Sequence, residues 1–225
     1  MFTLTIVENL TFYLRKPIKT EGKSCTGLAK PTLFYFMDFL QKAILEKGKV
    51  LPGNVLKVGA FLNNQLDVKL LSQMADAIFE HFKSKGVTKV FTVEASGIAI
   101  AVLVAERFGV NAVFAKKSKT ANVDGDIYSA DCYSYTHKVM NRLILGKEYM
   151  SADDKVLVVD DFLANGQAVY ALKDIVEQSG AEFSGVAIAI EKGFQGAGDK
   201  LRGEGIDLYS LAIIDSMDDC QIKFR

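Results

Sequence analysis

An α/β fold, with a mostly parallel sheet flanked by helices, follows from three features of the 225-residue sequence. Short apolar runs recur without internal polar alternation, the pattern of strands buried on both faces. Segments of helical periodicity separate these runs. Small or polar residues follow each run, and in open α/β sheets ligands bind beyond the carboxyl ends of the strands.

Regular periodicity begins at Met37. Phe39, Leu40, Ala43, Ile44 and Lys47 share one helical repeat, which Gly48 closes. VLPGNVLKVGAFLNNQLDVKL, which holds Pro52, reads as an irregular connection. An amphipathic helix is predicted over about Val68–Lys85: Leu70, Leu71, Met74, Ile78, Phe79 and Phe82 share a face, and Gly86 stops it. Lys89–Val93 is a buried strand, Gly97–Phe108 a helix of small apolar residues, and Ala112–Ala115 a second strand. Lys155–Val159 is a third strand, followed by a helix from about Gly166 to Ser179. Gly185–Ile190 and Leu208–Ile214 supply the fourth and fifth strands. Residues 116–154 break this rhythm. Their alternating runs, Ile127–Tyr135 and Val139–Leu145, predict a long β-hairpin inserted at a strand's carboxyl end, the position of an active-site lid.

Composition excludes several classes. The chain is 49% hydrophobic, with 27 basic and 27 acidic residues and no net charge. That lacks the basic footprint of a non-specific nucleic-acid binder and the polarity of a disordered chain. No apolar run approaches the roughly 18 residues of a spanning helix, so no membrane partner is expected. Cys25, Cys132 and Cys220 are odd in number and far apart, which suggests neither a disulfide framework nor a zinc site. A reducing, cytoplasmic setting is expected. His81 and His137 stand in no Ser/His/Asp or Cys/His arrangement and receive no catalytic role.

The neutrality is a sum of unequal parts. Residues 1–36 hold five basic and two acidic side chains, a net +3, so the other 189 residues carry −3. Pro17 and Pro31 lie in that first segment, and KPIKTEGKSCTGLAKP carries only breakers and charge. Residues 1–36 are expected to be an extension or mis-called leader before a domain of residues 37–225. The alternative is an N-terminal strand packed on that domain.

VLVVDDFLANGQA carries the most chemistry. An apolar strand delivers two adjacent carboxylates, Asp160 and Asp161, and a turn of small residues then opens a helix at Gly166. Backbone amides at such a helix start suit a phosphate. The carboxylates can accept from vicinal hydroxyls or help hold a magnesium ion. Phe162 offers a flat face for a base. A DD pair alone is more often the end of a strand and the cap of a helix. The apolar strand before it and the turn after it make the pattern specific.

This arrangement resembles the type I purine phosphoribosyltransferases. LKVGAFLNNQLD, VFTVEASGIAIA, VFAKKSK, VLVVDDFLANGQA and AIAIEKGFQ stand in the order and spacing of that family's xanthine-specific branch, from about Met37 to the end of the chain. The resemblance implies a type I phosphoribosyltransferase fold with a β-hairpin lid and a small hood. It implies transfer of a phosphoribosyl group from 5-phosphoribosyl 1-pyrophosphate to xanthine, with Mg2+ carried by that substrate, and a homodimer. Ala164, Asn165, Gly166, Gln167 and Ala168 would then cradle the 5-phosphate, and Asp160 and Asp161 would engage the ribose hydroxyls. Leu56, Asn63 and Lys192 would contact the purine. An ammonium at Lys192 donates to an oxopurine but opposes the amino group of adenine.

Glu94, Ala95, Ser96 and Gly97 would receive the pyrophosphate, although this sequence before a helix is also ordinary capping. Lys116, Lys117 and Lys119 would neutralise it as it departs; the plainer alternative is a solvated loop. One position departs from the wider family. Hypoxanthine-guanine enzymes carry an aspartate three residues after the acidic pair, and here that residue is Ala164. Two rivals remain: an enzyme for another purine, and a non-catalytic regulator that senses the activated sugar.

Overall fold

The computed structural model describes residues 38–117, 125–134, 139–218 and 221–225, with the backbone alone at 18–20 and 23–25 and at residues 134 and 139. The remaining residues, which include Lys119, His137, Cys220 and most of the first 36, lie outside it. Ile18–Thr20 (β1) and Lys23–Cys25 (β2) pair antiparallel, in a stretch where the sequence offers only breakers and charge.

Helix α1, Phe39–Lys47, starts where the Asp38 side chain accepts from the Leu40 amide and ends at Gly48. The expected irregular connection is more ordered than its sequence suggests. Lys49–Leu51 (β3) and Val55–Lys57 (β4) form a short antiparallel ribbon, closed by Gly53 and Asn54 at positive φ. A π-helical turn, Gly59–Asn63, follows. Helix α2, Val68–Phe82, is capped by Asp67 and closed beyond a 3-10 turn by left-handed Gly86. Then come β5 (Lys89–Val93), α3 (Gly97–Phe108) and β6 (Asn111–Ala115).

The predicted insertion is β7 (Ile127–Ser134) paired with β8 (Val139–Gly146). After it run β9 (Lys155–Leu163), α4 (Gln167–Ser179), β10 (Glu182–Lys192), α5 (Ala197–Gly203), β11 (Leu208–Ser216) and β12 (Lys223–Phe224).

The central sheet has the order β12-β11-β10-β9-β5-β6 and is parallel except for β12. Its unbroken apolar strands feed two cores. On one face Val90, Leu157, Val159, Ala187 and Ala189 pack with α1, α2, α3 and the β3–β4 ribbon. On the other, Phe91, Val156, Val158, Val186 and Ile188 pack with α4, α5 and the β7–β8 hairpin. Burial on both faces is why these strands lack polar alternation.

Two topological details position the site. The β5–β9 ladder ends at the Phe91–Val158 pair, so the strands part beyond it. Helix α3 leaves one strand for one face and α4 leaves the other for the opposite face. That is the switch point of a doubly wound sheet, where a crevice opens. The second detail is the length of β9. The sequence predicts a strand ending at Val159 and, after the two aspartates, a turn into the helix at Gly166. The strand instead continues to Leu163, because β10 extends beside it and pairs Ile190 with Phe162 and Glu191 with Leu163.

Candidate active site

The crevice between β5 and β9 holds a cavity of about 230 Å³. From β9 come Asp160 and Asp161, and from the turn into α4 come Ala164, Asn165, Gln167 and Ala168. From the loop after β5 come Glu94, Ala95 and Ser96, and from the loop after β6 comes Lys117. Three separate sequence segments, residues 94–96, 117 and 160–168, thus converge on one volume. Gly97 and Gly166 stand at the starts of the two helices that leave it.

Adjacent residues of a strand ordinarily face opposite sides. On β9 the alternation slips past Val159: Leu157, Val159 and Phe162 join the first core, while Val156, Val158 and Leu163 join the second. Asp160 and Asp161 sit at that slip, and both line the cavity. Asp160 is buried, and its Oδ1 accepts from the Asp161 amide at 2.9 Å. Burial, and then the charge of Asp161, pushes the Asp160 carboxyl well above the usual aspartate range. Burial also raises Asp161, against hydrogen bonds from Asp160, main-chain amides and Ser96 that favour its anion. Among the described residues neither carboxylate has an ion-pair partner, so cations or hydroxyl donors brought by a ligand would find acceptors waiting.

The turn after β9 is an amide cradle. Gly166 takes a left-handed conformation, φ 81°, and Asn165 Oδ1 accepts from the Gln167 amide at 3.4 Å. The first amides of α4 form the positive end of a 13-residue helix, which favours an anion. On the opposite wall the Glu94–Ala95 peptide is cis. Glu94 Oε1 accepts from the Lys117 amide at 2.6 Å, tying the loop after β5 to the loop after β6. Gly97 is required by packing. A Cβ there would lie 2.2 Å from Thr92 Oγ1 and 2.9 Å from Asp160 Oδ1.

The hairpin forms the remaining wall through Cys132, Tyr133, Asn141 and Leu143. No residue reading of the sequence placed these four. A signal existed in the period-2 alternation, since Ala130, Leu143 and Leu145 join the second core while the intervening Ile144 does not, and the register pairs Ala130 with Leu143 and Cys132 with Asn141. Burial raises the Cys132 thiol above its ordinary value. The lid's root is fixed by Lys116, whose backbone exchanges two hydrogen bonds with Ile144 at 3.0 and 2.9 Å.

The expected base contacts lie apart from this cavity. Lys192 ends β10, is half-buried, and donates to the Asn54 carbonyl of the β3–β4 turn at 3.1 Å. Burial lowers its ammonium's pKa. Leu56 is buried on β4, Asn63 is exposed at the end of the π-helical turn, and half-buried Phe162 packs on the first core. The β3–β4 ribbon and that turn therefore form a small layer over the β10 end of the sheet.

Among the described residues, no three His, Cys, Asp or Glu side chains gather as a metal site, and no helix is long and apolar enough to cross a membrane.

A family model described as a phosphoribosyl transferase domain matches residues 57–200. A xanthine phosphoribosyltransferase of Bifidobacterium adolescentis is 51% identical over 192 residues, covering 84% of this chain and 100% of that protein. One from Ruminiclostridium cellulolyticum is 44% identical over 188 residues, covering 84% and 99%. Among solved structures, an adenine phosphoribosyltransferase from Rhodothermus marinus superposes with a TM-score of 0.63 at 18% identity, over 77% of this chain and 97% of that one. At that identity the last likeness shows the fold alone.

Proposed function

The chain belongs to the phosphoribosyltransferase family, and from that premise we propose that it is an enzyme of purine salvage. It transfers the phosphoribosyl group of 5-phosphoribosyl 1-pyrophosphate to xanthine, giving xanthosine 5′-monophosphate and pyrophosphate. The observation that carries this reading is the one cavity lined by the Asp160–Asp161 pair, the Ala164–Ala168 turn and the Glu94–Ser96 loop. The likeness to enzymes named for xanthine supplies the acceptor.

In this reading the amides of residues 164–168 hold the 5-phosphate, and Asp160 and Asp161 accept from the ribose hydroxyls. The Glu94–Gly97 loop receives the pyrophosphate, with Lys116, Lys117 and Lys119 offsetting the charge that develops as it leaves. Attack at the anomeric carbon passes through an oxocarbenium-like transition state. The enzyme's main tasks are thus to orient the reactants and to stabilise the leaving group. The hairpin wall keeps water from the activated sugar.

Hard carboxylate oxygens with no cation of their own fit a magnesium ion that arrives with the substrate. Asp160 and Asp161 would hold it, and it would supply neutralisation of the pyrophosphate.

Lys192 reads the purine, with Leu56, Asn63 and Phe162 completing the base site. Its partly desolvated ammonium has a neutral carbonyl as its hydrogen-bond partner, so an anionic oxopurine gains most from it. That offsets the absence of a carboxylate base at Ala164. We further propose a cytoplasmic homodimer. Exposed Val102 on α3 and Phe114 on edge strand β6 offer an apolar face beside the Lys116–Lys117 loop.

The test is incubation with phosphoribosyl pyrophosphate, magnesium and each purine base separately, following nucleotide formation. Xanthine is expected to be the best acceptor. No nucleotide from any base would sink the enzyme reading, and a preference for adenine would sink the role given to Lys192.

A further inference from the structure

One buried acid plays no part in the mechanism above. Glu191 is fully buried on β10, immediately before Lys192. It accepts from Arg202 Nη1 at 3.1 Å and Nη2 at 2.6 Å, and from Ser210 Oγ at 2.5 Å. Arg202 belongs to α5 and Ser210 to β11, so one carboxylate joins three elements. The fit is close: a Cβ on Gly198 of α5 would lie 1.9 Å from Glu191 Oε1. Arg202 also approaches Asp199 at 3.5 Å, and Asp199 pairs with Arg225 at 2.7 Å. Arg225 in turn reaches Asp215 of β11 at 3.1 Å.

Strand alternation gives this cluster its consequence. Ile190 lies in the first core, Glu191 turns to α5 on the opposite face, and Lys192 returns to the first face at the β3–β4 turn. The anchored residue and the half-buried ammonium are thus successive positions of one backbone, pulled from opposite sides.

We infer that Glu191 is a positioning residue for purine selection: clamped by Arg202 and Ser210, it fixes the strand end from which Lys192 projects. The inference rests on the reading of Lys192 as the purine contact. Neither Glu191 nor its partners lines the sugar-phosphate cavity, so its effect falls on the base and spares the activated sugar.

The experiment is steady-state kinetics on the full chain with magnesium, varying xanthine and phosphoribosyl pyrophosphate separately. Glu191→Gln keeps the shape and removes the charge. Its KM for xanthine is expected to rise about tenfold, since small misplacements at a reacting site have effects of this order. Its KM for phosphoribosyl pyrophosphate stays within about twofold, the difference being the readout. Ser210→Ala moves the same way by less and decides the matter if Glu191→Gln does not fold. Asp154→Asn, which breaks the largely shielded Lys89–Asp154 pair (2.8 Å) near the opposite end of β5, lowers Tm without separating the two KM values. Equal changes in both KM values, or a lowered Tm alone, in Glu191→Gln and Ser210→Ala would overturn the inference. So would a split of the same size in Asp154→Asn. Lys192→Ala distinguishes the two levels. If it leaves the xanthine KM unmoved, the underlying reading fails; if it raises that KM and Glu191→Gln does not, the positioning role alone fails.

Discussion

Two neighbouring strands each carry buried carboxylates toward the same edge of the sheet, and they treat them in opposite ways. On β9, Asp160 is shielded from water, and burial and the adjacent Asp161 hold it toward its protonated form. On β10, Glu191 is shielded more completely, yet Arg202 and Ser210 supply three hydrogen bonds. The contrast teaches that burial does not assign a role to an acid; whether the fold supplies it with a partner cation does. The ion-paired group holds secondary structure together. The pair with no ion-pair partner among the described residues lines the cavity.

The comparison breaks most visibly in activity. Asp160→Asn and Asp161→Asn should each lower kcat/KM by roughly 10²–10³, the size of effect seen when one preorganised electrostatic contact is lost. The fold should remain intact, as circular dichroism would report. Next in size is Arg202→Met. It strands Glu191 as an uncompensated buried charge and should cost about 3–5 kcal/mol. At roughly 2–4 °C per kcal/mol for a chain of this length, a thermal melt should shift down by some ~6–20 °C. If Arg202→Met were neutral while Asp160→Asn unfolded the protein, the two roles would be reversed.

Glycines bordering each group sharpen the contrast. Gly198→Ala would force a methyl to 1.9 Å from Glu191 Oε1, and Gly97→Ala to 2.2 Å from Thr92 Oγ1 and 2.9 Å from Asp160 Oδ1. Each should cost about 1–3 kcal/mol, as overpacking does. Only Gly97→Ala should also lower kcat/KM for both substrates together, because its methyl displaces Asp160. Paired melts and assays at matched stability separate the two. Equal losses in both variants would mean that the groups are not distinct in function.

The sequence disclosed these two groups unequally, for physical reasons. The strands Lys89–Val93 and Leu208–Ile214 and the helix Gly97–Phe108 were legible because burial on both faces, or on one stripe, leaves an uninterrupted signature. Asp160 and Asp161 were legible because two adjacent carboxylates directly follow an uninterrupted apolar run, although β9 itself continues through them. Glu191 was not, because its meaning depends on Arg202 and Ser210, which lie 11 and 19 residues further on. Helix α5, AGDKLRG, has too few residues and too many glycines to show a period, and tertiary contacts such as Arg202–Glu191 hold it in place. The β3–β4 ribbon has three-residue strands around Pro52 and Gly53 and reads as breakers. The hairpin itself was legible from alternation, but its role as a cavity wall depends on docking against α4, through Ser129 and Gln178, and against the end of β6, through Ile144 and Lys116.

The finest test concerns stability in the absence of substrate. Below the ordinary aspartate pKa of 3.8, Asp160 is protonated in folded and unfolded chains alike, and its burial costs nothing extra. As pH rises past that value the unfolded chain releases the proton, while the folded chain retains it up to its own, higher pKa. Stability is therefore lost across that interval. Asparagine cannot titrate, and its Oδ1 can still accept from the Asp161 amide. Asp160→Asn and the parent should melt at similar temperatures near pH 4 and diverge as pH increases. At neutral pH the less active variant should be the more stable by on the order of 1 kcal/mol, about 2–4 °C. Adding phosphoribosyl pyrophosphate with magnesium should raise the parent's Tm and close the gap, since a ligand of the folded state stabilises it. A parent that melts higher than Asp160→Asn at neutral pH without substrate would show that the anion is already stabilised in the empty protein, and the distinction between β9 and β10 would collapse.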